Sequence, residues 1–137
     1  MPAAARLKDQ TGASAIEMAL ILPLLLTLVF AIIDYSRFFY LRASLAAAVA
    51  DGARVAVLPG ATAAMVNASV AGSLSDPIYQ GAGQTAVVSV TPSPPVANQP
   101  VTVSATLPFS PLILPHYLGT TLFPQSINTS ATMVVEP

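Results

Sequence analysis

The first half of the chain carries a long helical pattern that begins with an apolar run. Residues 13–33 are apolar except at Ser14, Glu17, Pro23 and Thr27. At 1.5 Å per residue, a helix over this run is about 31 Å long, which matches a hydrocarbon core of about 30 Å. We therefore predict that residues 13–33 form a transmembrane helix.

The helical pattern continues past the apolar run as an amphipathic stripe. Apolar or small residues recur at steps of three or four, at Phe38, Leu41, Leu45, Val49, Gly52 and Ala56. A stripe of this period is typical of a helix that packs on one face. Leu58, Pro59 and Gly60 predict its end, because a proline disfavours helical backbone in the residue before it. One helix is expected from about residue 14 to residue 57.

Charged side chains at i,i+3 spacing are expected on the polar side of this helix. Asp34 can pair there with Arg37, and Asp51 with Arg54, for a few tenths of a kcal/mol each. We interpret Asp51 and Arg54 as a solvated or capping pair rather than a functional site. A second short helix is predicted over residues 61–71.

Period-two alternation replaces the helical pattern in the second half of the chain. Residues 85–91, 101–107 and 127–135 alternate apolar with polar side chains and are rich in Val and Thr, as half-buried strands are. Proline-rich connections separate these segments and discourage further strand pairing. We predict an α+β fold, in which the long N-terminal helix is followed by a small antiparallel sheet of three strands packed on the helical stripe.

Composition narrows the possible functions. The 137 residues are 54% hydrophobic and 8% charged, against about 25% charged in soluble domains, which favours a membrane protein. A net charge of −1 does not provide the basic surface that nucleic-acid binding requires. The chain has no cysteine and one histidine, His116, and residues 77–135 contain no carboxylate for acid–base catalysis. We therefore expect neither an enzyme nor a bound cofactor or metal.

Glu17 is the residue of the apolar run that most needs a partner. An acidic side chain in the middle of a membrane helix costs about 2.5–3.5 kcal/mol, and less near the interface. The run contains no cation, so the partner must be another chain, lipid, or a new N-terminus created nearby. Cleavage between Gly12 and Ala13 would supply an α-amine, and the amine of one subunit could neutralise Glu17 of its neighbour. The alternative is an inert carboxyl group that is protonated or reaches the headgroups.

Small residues near Glu17 would let helices approach one another. Ala15 and Ala19 present little side-chain volume. Pro23 removes the backbone hydrogen bond to the Ala19 carbonyl and can bend the helix. We therefore predict that Ala15, Ala19 and Pro23 contribute to helix packing.

These residues resemble the signal segment of type IV pilins and pseudopilins. Gly12, the sequence ASAIE after it, and the apolar run look like their class III signal, which a prepilin peptidase cleaves after the glycine. Residues 11–57 resemble more closely the TadE-like family, which are pilin-like components of the bacterial tight-adherence, or Flp, pilus apparatus. The similar positions are Glu17, Pro23, Asp34 with Tyr35, and residues 50–54.

The resemblance implies a structural protein of the pilus system, cleaved between Gly12 and Ala13. The implied organisation is a cytoplasmic leader over 1–12, the transmembrane helix over 13–33, its extracytoplasmic continuation over 34–58, and a small pilin-like periplasmic domain over 59–137. Arg6 and Lys8 precede the span and favour a cytoplasmic N-terminus. The implied location is the bacterial inner membrane, with passage to the cell surface after assembly. The implied partners are membrane lipid, the prepilin peptidase, other pilin-like subunits and inner-membrane assembly proteins.

The alternative is a membrane-anchored binding module that is never processed. Residues 13–33 would then be a permanent signal anchor, and residues 85–136 would bind a ligand or an envelope protein. A cleaved secretory signal fits less well, because the small residues 46–48 that resemble its cleavage site lie well beyond the span, inside the predicted helix.

Overall fold

A computed structural model of the chain describes residues 3–75, 85–114 and 122–135, with side chains from residue 12 onward. Two helices precede a sheet of three strands. They are α1 (Ala3–Ala56), α2 (Ala63–Ser73), β1 (Val87–Thr91), β2 (Pro100–Pro108) and β3 (Ser126–Val134). The predicted α+β architecture, a long N-terminal helix followed by a small antiparallel sheet, is confirmed.

Helix α1 extends further toward the N-terminus than the apolar pattern predicted. It begins at Ala3 rather than at about residue 14, and it continues without a break through Pro23. The residues before Gly12 are mostly good helix formers, so the backbone can remain helical although the apolar run begins later. The Thr27 hydroxyl donates to the Pro23 carbonyl at 2.8 Å, which satisfies a polar side chain of the apolar run within the helix.

The two helices are joined by a short turn that reverses the chain. Leu58 and Pro59 follow the end of α1, and Gly60 has a positive φ of 76°, which glycine adopts without steric cost. Thr62 then caps α2, because its hydroxyl oxygen accepts a hydrogen bond from the backbone N–H of Met65 at 3.3 Å. Helix α2 therefore begins two residues later than the predicted segment 61–71.

The sheet has the order β1-β2-β3, with both pairs antiparallel. In the central strand β2, alternate side chains are almost fully buried, as the period-two pattern predicted; they are Val101, Val103, Ala105 and Leu107. The opposite face carries hydroxyl groups that bond across the strands. Ser89 and Ser104 approach to 2.8 Å, and Thr102 and Thr132 to 2.9 Å. This division into an apolar and a hydroxyl face fixes which side of the sheet meets the helix.

The core forms where the apolar face of the sheet packs on α1. All six residues of the predicted stripe, from Phe38 to Ala56, are buried. Helix α2 completes the core with Val66 and Val70, which are fully buried. It can lie close to α1 because of Gly52, where an added Cβ would come within 2.5 Å of Cγ2 of Val70. The close packing of α2 on α1 therefore requires a glycine at this position of the stripe.

Aromatic side chains close the end of the core nearest the apolar run. The ring centroids of Phe38 and Phe109 are 5.2 Å apart and nearly perpendicular, and those of Phe109 and Phe123 are 5.6 Å apart. Tyr35 lies beside Phe123, with centroids 4.5 Å apart. Perpendicular and tilted rings at these distances are the favoured arrangements of aromatic pairs. The cluster joins α1 to the segments that follow β2 and precede β3.

Candidate functional site

The apolar run of α1 lies outside the folded domain. Every residue from Gly12 to Val29 is exposed. The most apolar 18-residue window of this helix has a mean hydropathy of 2.6, and none of it is buried against the rest of the protein. A continuous apolar surface of this size requires a non-aqueous environment. The helix is long and apolar enough to cross a membrane, which points to membrane anchoring.

The predicted processing residues lie at the start of this exposed segment. Gly12 and Ala13 are in the interior of α1, and a Cβ added at Gly12 would meet no atom within 4 Å. Glu17 follows Gly12 about 7.5 Å further along the helix axis. It is exposed and forms no ion pair with any side chain that the structure describes.

The predicted packing residues lie on the side of α1 away from Glu17, with Ala15 and Ala19 nearly opposite it and Pro23 about 120° around the helix. Ala15, Ala19 and Pro23 recur at steps of four and are exposed. At 3.6 residues per turn, Glu17 is about 160° around the helix from Ala15 and Ala19. The carboxylate and the small residues therefore face two different sides of the helix, where two different neighbours could contact it. Their roles in processing and assembly stay predictions.

Asp34 is placed differently from its prediction: it is completely buried and does not pair with Arg37. Its Oδ1 accepts the backbone N–H of Leu112 at 3.0 Å, and its Oδ2 accepts that of Leu114 at 2.9 Å. The N–H of Ile113 lies between the two oxygens, at 3.4 Å from Oδ1 and 3.3 Å from Oδ2. The predicted ion pair is therefore wrong.

The physical reason is the position of Asp34 on the helix. It precedes Phe38 by four residues, so its side chain lies on the same stripe that faces the sheet. A buried carboxylate is costly unless hydrogen bonds replace its hydration, and three successive N–H groups form a concave anion site of the kind called a nest. The extension of the stripe backwards to residue 34 was the signal in the sequence that could have revealed this.

Arg37 supports the same loop from another side. Its guanidinium donates to the Ser110 carbonyl at 3.0 Å and lies 5.6 Å above the centre of the Phe109 ring. The carboxylate of Asp34 thus accepts hydrogen bonds from backbone N–H groups of the loop. The guanidinium of Arg37 contacts the loop through the Ser110 carbonyl and the Phe109 ring. Residues 109–114, defined here as the Asp34 loop, are attached to α1 by both.

Asp51 and Arg54 form the surface pair that their spacing predicted. Oδ1 of Asp51 and an η-nitrogen of Arg54 are 3.1 Å apart, and the two side chains are 50% and 72% exposed. An exposed pair of this type contributes about 0.3–0.5 kcal/mol. It is a solvated pair on the polar side of the helix.

Other site chemistry is sparse in the parts of the chain that the structure describes. They contain no group of three His, Asp or Glu residues that could hold a metal ion, and His116 lies outside them. An open groove of about 500 Å³ runs between α1 and β3, lined by Phe39, Arg42, Ala43, Ala46 and residues 128–130. Arg42 is the one charged residue among those that line the groove, and an arginine does not act as the base of a catalytic pair.

Comparison with known proteins finds a family match over the N-terminal helix. A family model described as TadE-like protein matches residues 12–54. The match begins at Gly12, includes Glu17 and Asp34, and ends at Arg54. No curated protein and no solved structure shows a significant match to the chain. Residues 12–54, the helical segment that carries the predicted signal and anchor, are therefore similar to the TadE-like family, which is the resemblance that the sequence indicated.

Proposed function

We propose that this protein is a TadE-like minor pilin or pseudopilin that takes part in the assembly of a Flp-type pilus. The TadE-like match suggests involvement in the tight-adherence pilus system, whose TadE-like members are structural rather than enzymatic. The observation that carries the finer proposal is the exposed apolar half of α1, which begins at the Gly12–Glu17 segment and continues without a break into the core of the domain.

The division of α1 into an exposed apolar segment and a segment that packs in the core supports this assignment. Residues 13–33 would cross the inner membrane, and residues 34–58 would continue outside it as the spine of the periplasmic domain 59–137. The leader 1–12, with Arg6 and Lys8, would remain in the cytoplasm. A helix of this kind anchors the subunit and also presents a long apolar surface to neighbouring subunits.

The surroundings of Gly12 support cleavage after it. Glycine in a helix interior costs about 1 kcal/mol relative to alanine. At Gly52 this cost has a packing reason, whereas at Gly12 an added Cβ would meet nothing within 4 Å. Recognition by a peptidase that requires a flexible backbone and no side chain at this position would account for the glycine.

Glu17 would act after cleavage. The new amine of Ala13 lies four residues before Glu17 on its own chain, and the carboxylate is exposed to the surroundings of the helix. The amine of one subunit would neutralise Glu17 of the next, which would set the register of the two helices. The small-residue face of Ala15, Ala19 and Pro23 would contact a different neighbour.

The intact mass of the chain tests processing directly. It is measured in the membrane fraction and in material sheared from the cell surface, for the native chain and for Gly12→Leu. We expect the native chain to start at Ala13 and Gly12→Leu to keep its leader. Gly72→Leu, at an exposed glycine with no atom within 4 Å of an added Cβ, is the matched control and should be processed normally.

A native chain that starts at Met1 or Pro2 would contradict the proposal. It would favour the unprocessed membrane-anchored binding module, for which Gly12→Leu changes nothing. Recovery of the processed chain in the sheared fraction would identify it as a filament subunit.

A further inference from the structure

We propose that the Asp34 loop, residues 109–114, docks into the surface of the membrane that α1 crosses. Leu112 and Ile113 enter the headgroup and upper acyl region, and Asp34 holds the loop in the conformation that permits this. The inference rests on the proposed membrane anchor and adds a second contact between the domain and lipid.

The loop lies at the level where the anchor leaves the membrane. Asp34 directly follows the apolar run 13–33, and its carboxylate is within 2.9–3.4 Å of the N–H groups of residues 112–114. Helical side chains lean toward the N-terminus, so the carboxylate points toward the lipid end of α1. Phe30 and Ala31, inside the predicted span, already pack against the core of the domain. The domain therefore follows the anchor without an intervening linker.

The loop presents apolar side chains at this level. Leu112 is 72% exposed and Ile113 is 38% exposed. Tyr35 and Tyr40, also partly exposed, lie on the adjoining turns of α1, and tyrosine is typical of membrane–water interfaces. No charged residue occurs between residues 77 and 135, so the loop brings no charge of its own into lipid.

Its backbone is also suited to a non-aqueous environment. A polar backbone group that enters lipid must be hydrogen-bonded within the protein. Asp34 accepts all three N–H groups from Leu112 to Leu114, and Arg37 donates to the carbonyl of Ser110. The three consecutive donors of residues 112–114 are thus satisfied from within the protein, while the apolar side chains of Leu112 and Ile113 are exposed. Continuity with the anchor favours lipid over a protein as the occupant of this surface.

Fluorescence quenching in vesicles tests the inference. The chain contains no cysteine, so Leu24→Cys, Leu112→Cys and Val134→Cys each provide one labelling site in the full chain. Leu24 lies in the anchor, and Val134 is an exposed apolar residue opposite Pro100, at the far end of β2 from the loop. Each variant is labelled with an environment-sensitive fluorophore and reconstituted in phosphatidylcholine–phosphatidylglycerol vesicles. Quenching is measured with brominated lipids and with aqueous iodide.

We expect brominated lipid to quench the labels at positions 24 and 112, and iodide to quench the label at 134. If iodide quenches the label at position 112 while brominated lipid quenches the label at position 24, the docking inference is overturned and the anchor is not. A label at 112 shielded from both quenchers would also overturn it, because protein would then cover the loop. Absence of lipid quenching at 24 would overturn the anchor and the inference together.

Asp34→Asn tests the role of the carboxylate in the same assay. Asparagine keeps the size of the side chain but replaces one acceptor oxygen with a donor, which opposes a backbone N–H of the loop. We expect the label at 112 to lose lipid quenching and to gain iodide quenching, with the label at 24 unchanged. Asp51→Asn is the control for charge and should leave all labels as they were. Unchanged quenching at 112 in Asp34→Asn would show that Asp34 does not hold the loop.

Discussion

Two aspartates on α1 have opposite surroundings and therefore opposite energetic roles. Asp34 is fully buried, and both of its oxygens accept backbone N–H groups from a loop about 80 residues away along the chain. Asp51 is half exposed and forms an ion pair with Arg54, three residues away. The Asp34 carboxylate accepts hydrogen bonds from backbone N–H groups that no helix or strand satisfies. The Asp51 carboxylate forms an ion pair that solvent screens, so it contributes little to stability.

Replacement of Asp34 by alanine should destabilise the domain far more than the same replacement of Asp51. Loss of the acceptor leaves three N–H groups without a partner at a part-buried site, which we expect to lower the free energy of unfolding by about 2–3 kcal/mol. Asp51→Ala should lower it by less than about 0.5 kcal/mol. Urea unfolding of the full chain in detergent micelles, followed by near-UV circular dichroism of the aromatic cluster, measures both. Equal effects of the two substitutions would argue against a structural role for the Asp34 carboxylate.

The contact between α1 and α2 depends on the absence of one side chain. Gly52 occupies a stripe position where any other residue would press on Val70, and Val66 is also within 3.4 Å of the Cβ that would be added. Both valines are fully buried and β-branched, so they have little rotamer freedom with which to give way. Gly72, on the exposed face of α2, has no such neighbour.

Gly52→Ala should therefore destabilise the domain although alanine is the better helix former. Overpacking in a core costs about 1–3 kcal/mol, which exceeds or balances the gain in helix propensity of about 1 kcal/mol. We expect a net loss of about 1 kcal/mol in the free energy of unfolding, measured by urea unfolding in micelles. Gly72→Ala adds no close contact and only improves helix propensity, so it should raise the free energy of unfolding slightly. A stabilising effect of Gly52→Ala would mean that α2 can move away from α1 at little cost.

The whole molecule is organised around one helix that belongs to both the anchor and the domain. Helix α1 is 54 residues long, or about 80 Å, and its two halves have different surroundings. Residues 12–29 are exposed and mostly apolar, and residues 34–56 form the spine of the core. Because they form one continuous helix, the direction of the apolar segment determines the direction of the helix that carries the domain.

Glu17→Gln should separate folding from assembly. Glu17 is about 30 Å along the helix from Phe38, the first buried apolar residue of the stripe, so the substitution should leave the domain fold and membrane insertion unchanged. If Glu17 attracts the amine of a neighbouring subunit as proposed, the Glu17→Gln chain should be absent from the sheared pilus fraction. Immunoblots of membrane and sheared fractions measure this, with Asp51→Asn as the matched loss of an exposed acid. Normal pilus output from Glu17→Gln would remove Glu17 from the mechanism.

Most of the architecture was readable from local patterns because those patterns record which face of each element is buried. The stripe from Phe38 to Ala56 and the alternation along β2 each predicted the buried side chains. The N-terminal start of α1 was not readable in this way, since a polar helical segment and a polar loop have similar hydropathy. The resemblance of residues 11–57 to the TadE-like family agrees with the family match over residues 12–54, because such a resemblance depends on local sequence.

The contacts between distant segments depended on the folded chain. Periodicity showed that a glycine lay on the stripe, but only the approach of α2 makes Gly52 necessary. Asp34 and Arg37 have the spacing of an ion pair, yet each binds the Asp34 loop instead. The physical reason is the same in both cases: helical spacing specifies which side chains share a face, whereas the partner of that face is set by segments brought together when the core forms.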